Sequence, residues 1–94
     1  MSGNAHRNRW EADPESTFVR RWGKSAHELG VTSNDSSCPD IWELSNGDVA
    51  VIGRDLTESY QGRLPDGVTV DPDERLIVIP RSTMIAARGD IPDA

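Results

Sequence analysis

The chemistry open to this sequence rests on a few side chains. Cys38 is the single cysteine, and His6 and His27 are the only histidines. A Cys38–His27 pair is conceivable as nucleophile and base. An inert thiol is the simpler expectation, because a free cysteine packs as a small hydrophobe. One cysteine cannot build the ligand spacing of a zinc centre. Asp35, Asp40, Glu43 and Asp48 bring four carboxylates close in sequence, but without the alternation, central glycine and closing glutamate of a calcium loop. They read as a solvated acidic rim. Asp71, Asp73 and Glu74 form a second acidic cluster around Pro72, with the same reading. The glycines between 62 and 67 precede no helix with Lys-Ser or Lys-Thr, so no phosphate loop is indicated. Arg88-Gly89-Asp90 matches a cell-adhesion tripeptide, a match too short to carry weight. The expectation is a non-enzyme with no catalytic residue, metal or cofactor.

Arg20, Arg21 and Lys24 gather around Trp22 and could touch a phosphate or an acidic partner. Pairing with the chain's own carboxylates is the simpler outcome. Charge is unevenly spread. Residues 1–30 hold five basic and four acidic side chains, whereas 31–94 hold five basic and twelve acidic, within a net charge of −6. An acidic body repels a phosphate backbone, whose neutralisation dominates nucleic-acid affinity. Direct nucleic-acid binding is therefore not expected. The same acidity attracts basic partners, or simply keeps the protein soluble.

The elements that would position these groups are readable from patterning. Asn46-Gly47 between apolar runs predicts a β-hairpin with a two-residue type I′ turn. In that register Leu44 faces Val49, Trp42 faces Val51 and Ile41 faces Ile52. One face then carries Trp42, Leu44, Val49 and Val51, and the other Ile41, Ala50 and Ile52. A sheet with one wet face alternates apolar and polar residues. Apolar residues on both faces mean that both need cover. Strands are expected near 40–45 and 48–54, and a third over Arg75–Ile79, ended by Pro80. Asp13-Pro14-Glu15 resembles a helix start. Phe18, Trp22, Ala26 and Leu29 then follow at helical spacing, which predicts a helix over 14–22 that could continue to 29. Residues 56–64 suit one or two helical turns stopped at Gly62. Turns are expected at Pro65-Asp66-Gly67 and Asp71-Pro72-Asp73, and a short helix capped by Ser82.

The order of several short segments is informative. Trp22-Gly23-Lys24-Ser25 comes first, then Cys38, then the apolar strand Ile41 to Leu44. Gly47-Asp48-Val49-Ala50-Val51 runs to Arg54-Asp55, and Leu76 to Ile79 leads into Ser82 through Ala87. This order, over residues 22–87, resembles a small actinobacterial domain family of unknown function, often encoded beside helix-turn-helix transcriptional regulators. The resemblance implies a regulatory accessory role without catalysis. It also implies an extended Trp22 segment, where the periodicity makes the segment helical; both expectations stand.

The chain of 94 residues suffices for one small domain. The expected fold is α+β: a small antiparallel sheet of three or slightly more strands, with an N-terminal helix and a short C-terminal helix. Residues 1–12 are expected to be a disordered tail, 13–88 the domain and 89–94 a C-terminal tail. Only 35% of residues are hydrophobic, low for a globular domain. No apolar run is long enough to span a membrane, and no secretory signal is evident, so the cytoplasm is the expected location. The function expected is a protein–protein interaction module, accessory to a transcriptional regulator such as a helix-turn-helix protein, and self-associating as a homodimer. Its partner-binding residues would be Trp42, Leu44, Val49, Val51, Ile41 and Ile52. The alternative is an acidic antitoxin, immunity protein or nucleic-acid mimic that meets a basic target through Asp71, Asp73 and Glu74.

Overall fold

Thr17, Phe18 and Val19 are β-branched or aromatic, which suits a pleated surface better than a helix. In the computed structural model, which describes residues 10–30 and 39–93, Phe18–Arg21 forms strand β1. The helix expected over 14–22 does not form. Asp13 closes a turn instead: its Oδ1 accepts the Glu15 N–H at 2.9 Å, and its carbonyl accepts the Ser16 N–H at 3.2 Å. Gly23, at φ +81°, interrupts the chain directly after Trp22. One short turn then follows, tied by a reciprocal pair of bonds between Ser25 and Glu28. The expected 1–12 tail lies partly outside the described residues; Trp10 to Ala12 are exposed and carry no regular structure.

Strands β2 (Asp40–Leu44) and β3 (Val49–Ile52) form the expected hairpin. Its turn differs from the expected one. Gly47 has φ +91°, but no residue other than glycine has a positive φ among those described, so the two-residue type I′ turn is excluded. The Gly47 N–H donates to the Leu44 carbonyl at 2.9 Å, and the Leu44 N–H donates to the Asp48 carbonyl at 2.9 Å. This is a three-residue loop, a tight turn followed by a left-handed glycine. Register therefore slips by one: Ile41 faces Val51, Trp42 faces Ala50 and Glu43 faces Val49. A one-residue slip regroups both faces. Trp42 and Leu44 share a side with Ala50 and Ile52, whereas Ile41 shares one with Val49 and Val51.

The sheet runs β1-β2-β3, all antiparallel, with a bulge in β1 between Phe18 and Arg20. The expected third strand thus goes elsewhere. Strand β4 (Arg54–Asp55) continues from β3 after Gly53 and pairs with β5 (Ile77–Val78) in a separate two-stranded sheet. Between them lie helix α1 (Thr57–Tyr60) and one 3₁₀ turn (Gln61–Arg63); helical turns form there as expected, but they run through Gly62 to Arg63 instead of stopping at it. Helix α2 (Arg81–Ala87) follows Pro80 without a side-chain cap, so Ser82 lies inside it, and a 3₁₀ turn (Arg88–Asp90) ends it.

The small α+β class holds, with a strand in place of the N-terminal helix. Its core is Trp22, Ile41 and Ala87, with Ile79 packed against them. Residue 89 does not begin a loose tail. The Asp90 carboxylate accepts the Gly23 N–H at 2.7 Å, and the Asp90 carbonyl accepts Arg20 Nη2 at 2.7 Å. No described helix is long and apolar enough to cross a membrane.

Candidate protein-interaction surface

The two faces of the β1-β2-β3 sheet have different fates. On the Ile41 side, Trp22 folds over the sheet and α2 presents Ala87, which leaves Trp22 7% and Ile41 3% exposed. The buried indole still needs a partner for its N–H, and Trp22 Nε1 donates to Glu43 Oε1 at 3.2 Å. Arg20 Nε meets the same oxygen at 3.3 Å. Glu43, the one charge within the hairpin's apolar pattern, thus anchors the covering tryptophan.

The Trp42 side carries a different arrangement. Phe18 stacks on Trp42 with ring centroids 5.5 Å apart and planes at 28°. The Arg21 guanidinium lies 4.8 Å from the Trp42 ring centre. Arg21 Nε and Nη2 donate to the two carboxylate oxygens of Asp40 at 2.7 and 3.4 Å. A forked arginine–carboxylate pair fixes geometry as well as charge, so the aromatic pair is held in place before anything binds. Yet this side is open: Phe18 is 57% exposed and Ile52 44%, with Trp42 and Leu44 half-buried. Of the six expected binding residues, Trp42, Leu44 and Ile52 come together here with Phe18. Ile41 is core. Val49 and Val51 lie on the Ile41 side, beyond the cover of α2. Sequence reasoning missed Phe18 and Arg21 because it placed both on a helix.

Of the three basic residues around Trp22, Arg20 and Arg21 pair with the chain's own carboxylates, through Arg20–Glu43 and Arg21–Asp40. The acidic cluster is engaged locally too. Glu74 Oε1 accepts the Asp71 N–H at 2.9 Å, and the Glu74 N–H donates back to the Asp71 carbonyl at 2.9 Å. Asp71 and Asp73 have further interactions. Cys38 and Asp35 lie outside the described residues.

A cleft of about 450 Å³ is lined by Asp55, Thr57, Glu58, Ser59, Gln61 and Arg75. Within it the Thr57 hydroxyl donates to Asp55 Oδ1 at 2.7 Å and accepts the Leu76 N–H at 2.8 Å. Thr57, first through its hydroxyl and then through its N–H, holds the Asp55 carboxyl below its usual range. That favours the anion and disfavours a proton donor. Ser25, first through its N–H, does the same for Glu28. The Ser-x-x-Glu spacing at 25–28 is a capping-box signature, legible in the sequence. Both carboxyls bind protons less readily when folded than when unfolded. Their contribution is therefore present at neutral pH and is lost as pH falls through the lowered values. Replacing Glu28→Gln and Asp55→Asn together should flatten the acid limb of a plot of thermal midpoint against pH. An unchanged limb would show that other carboxylates set it.

Compared with protein-family models, with curated proteins and with solved structures, the chain matches none.

Proposed function

We propose that this protein is a non-catalytic interaction module of the cytoplasm, accessory to a helix-turn-helix transcriptional regulator, which it engages through the Trp42 face without touching nucleic acid. The observation that carries the interaction reading is the exposed Phe18–Trp42 stack, held by the Arg21–Asp40 fork and flanked by Leu44 and Ile52. Contiguous apolar surface with a polar frame is what partner-binding sites present, and buried aromatics dominate the energetics of such sites. The regulator as partner class rests only on the resemblance of residues 22–87 to the small actinobacterial family. The acidic alternative has less support, because the Glu74 carboxylate is bonded within its own loop.

The test is capture from extract of the source organism over a salt series. A complex built on apolar contact should persist as ionic strength rises, whereas one built on exposed charge should dissociate. Trp42→Glu combined with Phe18→Ser is expected to weaken capture by about thirtyfold or more, the scale of losing a binding hot spot. Unchanged capture by that variant, or capture that vanishes with salt and needs Asp71, Asp73 and Glu74, would overturn the proposal in favour of an acidic surface meeting a basic target.

A further inference from the structure

Strand β3 is one edge of the three-stranded sheet, and it is the unguarded edge. The opposite edge, β1, carries Arg20, Arg21 and a bulge, devices that discourage further strand pairing. β3 is Val49-Ala50-Val51-Ile52, with no charge, no proline and an uninterrupted register against β2. The Leu44 N–H bonds to the Asp48 carbonyl. Antiparallel ladders alternate in the direction of their main-chain groups. Those of Asp48, Ala50 and Ile52 therefore face β2, and those of Val49 and Val51 face outward. Among the described residues nothing pairs with this outer edge. Val49 and Val51 are 42% and 43% exposed.

Charge at the two ends of β3 says what fits. Asp48 precedes it, and Arg54 follows it after Gly53. Arg54 is exposed and has no side-chain partner among the described residues. We infer that a second copy of this chain pairs antiparallel with β3 across a two-fold axis through Val51. The outward groups of the two Val51 residues then bond to each other, Ala50 stands opposite Ile52, and Asp48 of each copy stands opposite Arg54 of the other. Axes through Val49 or Ala50 also keep outward groups opposed, but they set Asp48 against Ala50 or Ile52 and leave the charges unmatched. The product is a continuous six-stranded sheet whose two Trp42 faces lie on one side. This inference deepens the interaction reading by naming one partner. It uses the strand edge and not the Trp42 face, so the two fail separately.

In a two-fold dimer each substitution acts twice. Asp48→Arg sets arginine against arginine at both ends, and Arg54→Asp sets carboxylate against carboxylate. Sedimentation equilibrium of the full chain reads the outcome, with circular dichroism confirming that each variant is folded. The unmodified protein is expected to dimerise, and each variant alone to weaken the dimer by about tenfold or more. An equimolar mixture of the two variants should recover it, because each chain then meets opposite charge. A monomeric unmodified protein at millimolar concentration would overturn the inference. So would variants that dimerise alone as well as they do mixed. Edge variants that stay monomeric yet still capture a partner would leave the Trp42-face proposal standing.

Discussion

Trp22→Ala is expected to lower the unfolding free energy by about 3–5 kcal/mol, the cost of emptying a tryptophan site in a packed core. Trp22 is 7% exposed and belongs to a cluster that, among the described residues, has three buried members, Trp22, Ile41 and Ala87. Truncation also leaves Glu43 without the Trp22 Nε1 bond, so its remaining side-chain partner is Arg20. Small domains hold about 5–15 kcal/mol in total, so the loss is a large part of the whole. Denaturant unfolding followed by far-ultraviolet circular dichroism measures it. A loss below about 1 kcal/mol would show that stability resides outside this cluster.

Gly23→Ala is expected to cost about 3 kcal/mol or more, from left-handed strain together with forced displacement in a packed region. Gly23 has φ +81°, and a Cβ there would lie 2.8 Å from the backbone carbon of Ala86 and 2.8 Å from the nitrogen of Ala87. Helix α2 docks on the sheet through this close approach, next to the bond from Gly23 N–H to Asp90. Gly67 provides the control. It has φ +82° but nothing within 4 Å of an added Cβ, so Gly67→Ala should cost only the conformational part, about 1 kcal/mol. Equal losses at the two positions would contradict the docking role of Gly23.

Local chemistry made some elements legible and left others hidden. Asn46-Gly47 located the hairpin because a left-handed residue was needed there. It did not fix the loop length, because a left-handed glycine serves both the two-residue turn and the three-residue loop that forms. That single residue changed which side chains share a face. The 18, 22, 26, 29 spacing suggested a helix, yet Phe18-Val19 and the positive φ at Gly23 favoured a strand and a break. Ile77 and Val78 were recognisable as strand, but their partner was not, since pairing with Arg54 and Asp55 is set by distant contacts. The interaction surface was half visible. Trp42, Leu44 and Ile52 were among six apolar residues named from the sequence, but the expected register put Ile52 on the opposite face from the other two. The Phe18 stack and the Arg21–Asp40 fork reach across strands, and no periodicity within one segment encodes them.

Nuclear magnetic resonance of the labelled protein, titrated with the partner it captures, tests the central claim most directly. Amide and side-chain signals of Phe18, Arg21, Trp42, Leu44 and Ile52 are expected to shift or broaden on binding, while the Trp22 indole signal stays in place. Changes confined to the loop holding Asp71, Asp73 and Glu74, with the Trp42 face unmoved, would contradict it.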